Sequence, residues 1–512
     1  WDEHRFSATG VYSWQDYVYE NLSISGKGFQ NDETGAWDMG LANRETMSYA
    51  SGKYGNTLIS FTGRFTYAYK DRYLMTATAR YDGSSRFGTN NKWGFFPSVG
   101  LGWRISEEAF LANNKVITNL KLRGSYGITG NQEIGNYKSL AQLKSKNYIY
   151  NDALMQGFYE TIGNPDLKWE RTKQFDLGFD LSLWNRIHLN VDYYSRRTSD
   201  LLYDVPIPST SGFSTMLSNI GIVSNKGVEI ALSGRIVEAK DFKLDATVNI
   251  SKNKNEIKEL YNEVESITVT SGLGLSKYLK VGESLLSIYG LKSEGIIKTE
   301  EQLAAYQKIV PTAQLGDEMY ADIDDDKAIT AKDQINIGET EPNFFYGVAL
   351  NLEYKKFHLD ILGQGAHDFA AVGASNSDMK IGIHGYGDGI NYLLAGENQT
   401  DNRCYLPSKY AYERMWSPSN PNGTFPRAGA SNLYLSDRSN SGWNYFIIKS
   451  IALSYDFGNN PIKGIKGIKG ISAFVNLQNF ITFANHRGYN PENGDTSNPW
   501  IKTITIGVNA KF

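Results

Sequence analysis

The sequence has little of what usually staples or anchors a chain. It has one cysteine in 512 residues, Cys404, so no disulfide forms within it. Its net charge is only −3, which favours neither nucleic acid nor an anionic membrane surface as a partner. No apolar run approaches the ~18 residues of a membrane-spanning helix. These absences exclude a disulfide-stabilised fold and a helical membrane anchor within this sequence.

Signals of targeting and of catalysis are also missing. The first ten residues, WDEHRFSATG, contain no Met, no basic segment and no apolar segment, so we expect a processed chain or a fragment. The six histidines are scattered without metal-ligand spacing. Neither a G-x-S-x-G elbow nor a phosphate-binding G-x-x-x-x-G-K-[ST] loop occurs. We therefore expect a protein that is not an enzyme.

Strict alternation of apolar and polar residues is the dominant pattern. In Phe175–Trp184 the odd positions are apolar, and the even positions are Asp, Gly, Asp and Ser. A period of two over such a length predicts a β-strand. Fourteen segments share the pattern: 4–14, 57–69, 73–82, 93–103, 120–128, 175–184, 187–193, 227–237, 242–252, 344–354, 357–365, 444–456, 471–480 and 500–512. The sequence thus predicts an all-β fold.

The connections between these segments alternate between short and long. Short ones lie at 70–72, 185–186, 237–241 and 355–356, and long ones at 15–56, 129–170, 195–226, 253–343, 366–443 and 481–499. This layout is typical of an antiparallel transmembrane β-barrel of the outer membrane, in which lipid covers the apolar face. Trp93 and Trp103 then fall at the two membrane interfaces. A soluble propeller or solenoid would need a repeat of fixed period, which the sequence lacks.

The C-terminal segment gives the orientation of this barrel. In WIKTITIGVNAKF the residues Ile504, Ile506 and Val508 alternate with Thr, Gly and Asn. A last strand ending in Phe, here Phe512, resembles the signal that outer-membrane assembly machinery recognises. We therefore expect a periplasmic C-terminus, short periplasmic turns and long extracellular loops.

Several motifs, in order along the chain, resemble the barrel of SusC/RagA-type TonB-dependent receptors of Bacteroidetes. They include RYDGSSRFGTNNKWGFFPSVGLGW, NLKLRGSYGITGNQEIGNY, GNPDLKWERTKQFDLGFDLSLW and NIGIVSNKGVEIAL. The resemblance extends over essentially the whole chain. It implies an energised outer-membrane importer of nutrients such as glycans or peptides. In that family the TonB complex pulls on a plug domain, and a SusD-like surface lipoprotein closes the extracellular mouth.

The chain also departs from this family. The family's barrel has about 22 strands around a plug, whereas we count 14 segments and find neither plug nor TonB box. An open sheet edge cannot face lipid, so about eight strands must come from elsewhere. We expect residues 1–512 to be the C-terminal portion of the barrel, completed by N-terminal strands and a plug of the same or a separate chain. The alternative is a plug-free porin or an outer-membrane scaffold subunit of a larger complex.

The long loops carry the binding hypothesis, because they are rich in aromatic residues. Aromatic rings stack on sugars, and tyrosine also makes adaptable contacts in protein interfaces. The sequence leaves open whether these side chains contact cargo, contact the lipoprotein lid or pack the loops. The candidates in the 129–170 loop and the 366–443 loop are Tyr148, Tyr150, Tyr386, Tyr392, Tyr405, Tyr410, Tyr412, Trp416 and Tyr434.

One acidic stretch, DIDDDKAITAKD, suggests a structural calcium site in the 253–343 loop. Positions 1, 3, 5 and 12 of a calcium loop hold carboxylates, and position 7 offers its backbone carbonyl. The family's pattern resembles D-x-N-G-D-G-x-I, but Asp325 and Lys327 replace its glycines here. The alternative is a solvated acidic loop. The candidate ligands are Asp322, Asp324, Asp326, Ala328 and Asp333.

Charged residues also recur on the polar face of the predicted strands, which would line the barrel lumen. Carboxylates such as Asp176, Asp192 and Asp360 share this face with basic residues such as Arg80 and Arg123 by the same alternation. They either hold a plug and set the lumen charge or form ion pairs across strands. The sequence does not separate these two roles.

Overall fold

A computed structural model describes most of the chain, and it is nearly all β. The described residues are 3–31, 33, 35–150, 152–261, 264–270, 277–369, 409–427, 430, 434–439, 443–459, 469–484, 490–492 and 500–511. One antiparallel sheet holds 14 strands, each hydrogen-bonded to its neighbours in chain order. The predicted all-β fold of 14 consecutive antiparallel neighbours is confirmed.

The strands of this sheet match the segments that alternation predicts. Their bounds are β1 His4–Ser25, β2 Ser48–Tyr69, β3 Tyr73–Ser84, β4 Trp93–Arg104, β5 Ile117–Asn131, β8 Glu170–Leu183, β9 Ile187–Ser199, β12 Ile222–Ala239, β13 Phe242–Glu259, β20 Phe344–Tyr354, β21 Phe357–Phe369, β22 Trp443–Asn459, β23 Gly470–Ala484 and β24 Thr503–Lys511. The sequence order leaves β1 and β24 at the two ends of the sheet within the described residues.

The long connections contain five small two-stranded sheets and a few helical turns. The additional strands are β6 Gln142–Tyr150, β7 Ala153–Thr161, β10 Leu202–Pro206, β11 Thr215–Asn219, β14 Ser266–Thr270, β15 Lys277–Lys280, β16 Ser287–Leu291, β17 Ser293–Ile296, β18 Glu318–Tyr320 and β19 Gln334–Glu339. Two α-helices are described, α1 Glu300–Tyr306 and α2 Lys409–Arg414. The 3-10 turns are Gly35–Trp37, Met39–Leu41, Arg44–Thr46, Ile105–Glu107, Ser209–Ser211, Ala331–Asp333 and Asp437–Ser439.

Neither of these α-helices has the length and apolar character required to cross a membrane, as judged over the described part of the chain. Helix α1 starts with a capping box: Gln302 N donates to the Thr299 side chain, and the Gln302 side chain accepts from Thr299 N. It is seven residues long and belongs to a loop. The sequence pattern and the structure agree that helices have a minor role here.

Two strands are much longer than the sequence predicts. Strands β1 and β2 each run for 22 residues, and they pair without a register shift from His4↔Tyr69 to Ser25↔Ser48. The predicted loop at 15–56 therefore shrinks to residues 26–47. Asp16 and Glu20 interrupt the apolar face of β1, so the alternation of apolar and polar residues did not predict that the strand continues to Ser25. Within β2, only Leu58–Tyr69 pair with strand β3, so the part of the β1–β2 hairpin from Ser48 to Thr57 extends beyond β3.

The apolar face of the sheet is exposed in this chain, as a lipid-facing surface would be. In β4, Phe95 is 53% and Leu101 is 60% exposed, while four of the six alternate positions are Gly or Ser and one is the buried Phe96. In β24, Ile506 is 79% exposed. Trp93 and Trp103 lie at the two ends of β4, about ten residues apart, which is the span of a tilted membrane-crossing strand. The exposed apolar face agrees with a sheet solvated by lipid.

Two compact units divide the chain, and each has its own buried clusters. The first comprises Trp1–Trp103, Arg123–Asp176 and Arg196–Ile222, and the second comprises Arg104–Leu122, Leu177–Ser195 and Val223–Phe512. The first unit buries Phe87, Phe96, Ile134, Leu167 and Trp169 together. The second unit has one cluster of Ala366, Tyr445 and Ile447 and another of Ile297, Tyr306 and Ala313.

Candidate functional site

Two of the predicted aromatic residues lie exposed on loop elements. Tyr150 ends strand β6 and is 65% exposed, and Tyr412 in helix α2 is 70% exposed. Both side chains are exposed to solvent in this chain. Tyr386, Tyr392, Tyr405 and the side chains of Tyr148 and Tyr410 lie outside the described residues.

The two remaining candidates among the described residues, Trp416 and Tyr434, pack within the loops. A Cβ added at Gly316 would lie 2.2 Å from Cε3 of Trp416, so the indole ring fills the space beside that glycine. The ring of Tyr434 lies against Tyr320 with centroids 5.5 Å apart, and its amide donates to the Tyr320 hydroxyl at 3.0 Å. Gly316 also has φ +86°, which favours glycine. Trp416 and Tyr434 therefore contribute to loop structure.

Two long loops join into one folded body, which we call the loop module and define as residues 287–339, 409–427 and 434–439. Leu291 N donates to the Leu435 carbonyl at 2.7 Å. Ser293 N donates to the Asp437 side chain at 2.9 Å. Thus β16 and β17 of the 253–343 loop bond directly to the end of the 366–443 loop.

Buried charges fix this joint. Arg427 Nε donates to Asp317 Oδ1 at 2.7 Å, and the Asp317 side chain is only 3% exposed. Glu318, whose side chain is fully buried, accepts from the hydroxyls of Ser293 at 2.5 Å and Tyr320 at 3.2 Å. Arg438 Nη1 lies 4.0 Å from the same carboxylate. Because unpaired buried charges are costly, these pairs specify one arrangement of the two loops.

A buried tyrosine completes the module's interior. The hydroxyl of Tyr306 accepts a hydrogen bond from Tyr320 N at 3.0 Å. Burial raises the pKa of Tyr306 to about 12. The hydroxyl therefore stays protonated at any physiological pH and keeps its place beside α1 and β18.

The acidic loop brings three of its four predicted carboxylate ligands together. Oxygens of Asp322, Asp324 and Asp333 lie within 4.8 Å of one another, a separation that one Ca²⁺ could bridge at its usual ~2.4 Å ligand distance. Asp333 is fully buried and also accepts from the amides of Ile323 at 2.8 Å and Thr330 at 2.7 Å. The carboxylate at position 12 is thus held in place by the backbone.

The remaining predicted ligands lie differently. Asp326 is outside the convergent group, and its Oδ1 accepts from Ala328 N at 3.0 Å. Lys332 Nζ lies 3.6 Å from Asp324 and 3.7 Å from Asp326, so a lysine already neutralises part of this charge. Asp325 and Lys327 both have positive φ, +59° and +62°, at the two positions where the family pattern has glycine. The loop therefore makes the left-handed turns of a calcium loop, at a strain cost of about 1–2 kcal/mol for each residue.

Ion pairs across neighbouring strands account for several charges on the polar face. Arg235 Nε lies 3.0 Å from Asp245 Oδ1, and Lys243 Nζ lies 3.0 Å from Glu353 Oε2. Asp176 accepts from Ser125 at 2.9 Å. Charged residues of the polar face therefore form ion pairs or hydrogen bonds with side chains of neighbouring strands at these positions.

A cavity of about 570 Å³ opens on the polar face of the second unit. Strand register places Asn249, Gly347 and Gln364 side by side on β13, β20 and β21. Strands β9, β12 and β22 contribute further lining residues. The lining includes Asn190, Asp192, Glu229, Ala231, Ser251, Phe345 and Tyr445.

The sequence reasoning missed a polar cluster beside this cavity. Glu492, in the connection before β24, accepts a hydrogen bond from Gln364 and lies 2.5 Å from Lys449 Nζ. The same ammonium lies 4.1 Å from the ring centroid of Trp500. A lone Glu in a polar connection carries no periodic signal, so only the fold identifies this contact.

The order of the 14 strands, the exposed apolar face and the long loops define a class, and comparison with known proteins identifies it. The family model described as "TonB dependent receptor-like, beta-barrel" matches residues 3–276. The chain belongs to this family of outer-membrane barrels. The predicted resemblance to SusC/RagA-type receptors is confirmed.

Individual relatives agree with this assignment. The TonB-dependent receptor P3 of Formosa agariphila is 31% identical over 99% of this chain and 51% of its own length. The TonB-dependent receptor SusC of Bacteroides thetaiotaomicron is 28% identical over 97% of this chain and 47% of its own. The structure of the RagAB peptide transporter aligns with a TM-score of 0.80 and 25% identity, covering 100% of this chain and 54% of that one. The chain therefore spans about half the length of these relatives.

Proposed function

We propose that this chain is the C-terminal barrel portion of a SusC/RagA-type importer that takes up peptides across the outer membrane with energy from TonB. The observation that carries the proposal is the alignment of the whole chain with the RagAB peptide transporter at a TM-score of 0.80. Glycans are the second candidate cargo, because the likeness to SusC/RagA-type receptors fits an importer of either class. We propose no catalytic role.

The proposal includes the partners that an incomplete sheet requires. Strands β1 and β24 end the sheet order, and an unpaired strand edge is unfavourable in lipid. We propose that about eight N-terminal strands and a plug complete the barrel and reach the TonB complex, giving the about 22 strands of plugged transporters. Residues 1–512 would then be one barrel portion, with residues 253–343 and 366–443 as its long extracellular excursions and its C-terminus in the periplasm.

A SusD-like lipoprotein is the proposed partner on the extracellular side. The loop module supports this, because its buried ion pairs give two loops a fixed common surface. The exposed rings of Tyr150 and Tyr412 are available for contact with such a lid or with cargo. The 129–170, 253–343 and 366–443 loops are the expected contact regions.

Measuring peptide uptake by cells distinguishes an energised importer from a plug-free porin or a scaffold. Cells carrying the intact receptor and its lipoprotein are given a fluorescent peptide mixture, with and without a protonophore that collapses the proton gradient. We expect uptake that stops when the gradient is lost, because TonB transmits that energy. Cells with the receptor deleted are the control. Uptake unchanged by the protonophore would favour the porin, and absence of uptake in all cells would contradict peptide import.

For the acidic loop we propose a weak structural calcium site. Three convergent carboxylates and two left-handed residues at the family's glycine positions support it. The residues that would hold the ion are Asp322, Asp324 and Asp333, and a bound Ca²⁺ would stiffen the loop without taking part in chemistry. The loop lies directly before β19 in the loop module, so this stiffening would act on the extracellular surface.

Calorimetry with millimolar CaCl2 tests this site. We expect a binding heat for the wild-type receptor and none for Asp324→Ala/Asp333→Ala. Glu353→Gln, which removes a carboxylate elsewhere, is the control. Equal heats for the wild type and the Asp324→Ala/Asp333→Ala variant would exclude the site.

A further inference from the structure

A row of aromatic side chains ends the apolar face of the sheet at the β20–β21 turn. Tyr354 pairs with Phe357 across this turn, and Phe357 pairs with Tyr455 on β22, so the three residues share one face. Phe457 extends the row, with its ring centroid 4.9 Å from that of Tyr455. We call these four residues the aromatic row. Tyr354, Phe357 and Phe457 are 47%, 45% and 48% exposed, so their rings face whatever covers the sheet.

Two lysines, Lys355 and Lys356, form the turn itself and lie beside the aromatic row. Lys355 Nζ lies 5.4 Å from the centroid of the Tyr354 ring. Lys356 Nζ donates to the carbonyl oxygen of Phe457 at 3.3 Å. Neither ammonium forms an ion pair with a carboxylate in the part of the chain that the structure describes. Two positive charges therefore lie at the end of an exposed apolar face.

Backbone hydrogen bonds to both neighbouring strands fix this turn. Lys355 N donates to the carbonyl of Asp241, directly before β13, at 2.8 Å. Asp456 N, in β22, donates to the carbonyl of Lys356 at 2.9 Å. Lys355 has φ +55°, as tight two-residue hairpin turns require. The two lysine side chains thus leave from a rigid point of the sheet.

The carboxylates at the same end of these strands have other partners or a neighbouring lysine. Glu353 Oε2 lies 3.0 Å from Lys243 Nζ. Asp456 Oδ1 accepts from a backbone amide two residues further on at 2.8 Å. The charge of Asp241 is balanced by the adjacent Lys240. The β20–β21 turn therefore adds two positive charges that these groups do not cancel.

The β2–β3 turn has a similar aromatic and basic arrangement, but its charge is neutralised. Lys70 Nζ lies 5.4 Å from the centroid of the Tyr69 ring, as Lys355 does from Tyr354. Lys70 Nζ also lies 3.2 Å from Glu3, and Arg5 pairs with Asp71. An anion would meet two carboxylates at that turn and none paired with the lysines at the β20–β21 turn.

A positive turn beside exposed rings suits an anion that carries apolar chains. Aromatic residues at the strand ends of outer-membrane barrels lie at the level of the lipid headgroups. Lysine places its apolar stem along such a surface and its ammonium at the polar boundary. Further along the same strands and on the same face, Leu453 pairs with Leu359, which gives an acyl chain an apolar path. A phosphodiester oxygen accepts strong hydrogen bonds from ammonium groups.

We propose that the β20–β21 turn and the aromatic row bind an anionic phospholipid of the leaflet that the short turns face. Lys355 and Lys356 bind its phosphate, and the rings of Tyr354 and Phe357 contact the glycerol and the first part of the acyl chains. The site goes beyond the import function and does not depend on which cargo is carried. It makes this turn, and not the β2–β3 turn, selective for lipid charge.

The test compares two lipids that have the same acyl chains. Phosphatidylglycerol carries a net negative charge, and phosphatidylcholine carries none. The intact receptor complex, purified in detergent, is titrated with each lipid, and native mass spectrometry counts the bound lipid molecules. We expect phosphatidylglycerol to bind about tenfold or more tightly, because each lysine near an anionic lipid strengthens binding about fivefold.

Three double variants locate this preference. Lys355→Gln/Lys356→Gln should lose most of it, because both ammonium groups are removed. Lys355→Arg/Lys356→Arg keeps the charge and should keep the preference. Arg5→Gln/Lys70→Gln also removes two positive charges, but both are paired with carboxylates, so the preference should stay as in the wild type.

Other results would overturn the site. Equal binding of the two lipids by the wild type contradicts it, and so does a preference that survives in Lys355→Gln/Lys356→Gln. An equal loss in Arg5→Gln/Lys70→Gln would show a general effect of charge instead of a site. Displacement of the lipid by millimolar inorganic phosphate would indicate a site for free phosphate and contradict the contribution of the aromatic row. None of these results bears on peptide uptake by cells, so the import function is tested separately.

Discussion

Replacing Gly88 by alanine is expected to destabilise the first unit strongly. A Cβ at this position would lie 1.6 Å from the carbonyl oxygen of Pro165, so two backbone segments must separate. The neighbours Phe87 and Leu167 are 1% and 0% exposed, and their packing depends on this contact. Overpacking of this kind costs about 3 kcal/mol. The measurement is the temperature at which the folded receptor loses its compact mobility in detergent gels.

Gly63→Ala is the matched control for this substitution. Gly63 lies in the middle of β2, pairs with Gly10, and a Cβ there meets nothing within 4 Å. The transition temperature of Gly63→Ala should equal that of the wild type within the error of the measurement. If Gly88→Ala and Gly63→Ala unfold at the same temperature, the tight contact between residues 88 and 165 is contradicted.

Replacing Arg427 by methionine is expected to open the loop module. Methionine keeps much of the side-chain length but leaves Asp317, 3% exposed, without its guanidinium partner. Breaking a buried pair from one side costs about 3–5 kcal/mol. Limited proteolysis should then cut within the loop module, while the mobility of the folded receptor in detergent gels stays unchanged.

Lys243→Met provides the comparison for Arg427→Met. It breaks the ion pair between Lys243 and Glu353, in which the two side chains are 41% and 43% exposed. Pairs this exposed contribute only about 0–1 kcal/mol, so proteolysis should match the wild type. Equal protease resistance of Arg427→Met and the wild type would contradict a joint held by Asp317 and Arg427.

The strands could be predicted from the sequence because lipid imposes a simple rule. In each segment that crosses the membrane, apolar and polar residues must alternate, as they do in Phe175–Trp184. The structure has strand β8 at Glu170–Leu183, over nearly all of that segment. Beyond the membrane this rule relaxes, since water solvates both faces. The second half of β1 escaped prediction because Asp16 and Glu20 interrupt its apolar face.

The candidate site could be predicted only in part. The acidic loop is local in sequence, so spacing alone brought Asp322, Asp324 and Asp333 together. The loop module depends on pairs such as Asp317 and Arg427, which lie 110 residues apart, and no local pattern encodes that contact. The roles of Trp416 and Tyr434 in packing likewise depend on partners in another loop.

We expect the loop module to form late in folding, because the residues that it brings together are far apart in the sequence. Ser293 and Asp437 are 144 residues apart and lie on either side of hairpin β20–β21. A β-hairpin forms in about 1–10 μs, whereas contacts between distant residues wait for the intervening chain to be ordered. The strands of the large sheet should therefore pair first, and the loop module should close as the last step of folding. A chain whose large sheet has just formed would therefore pass through a state in which the surface made by its two longest loops is still unfinished.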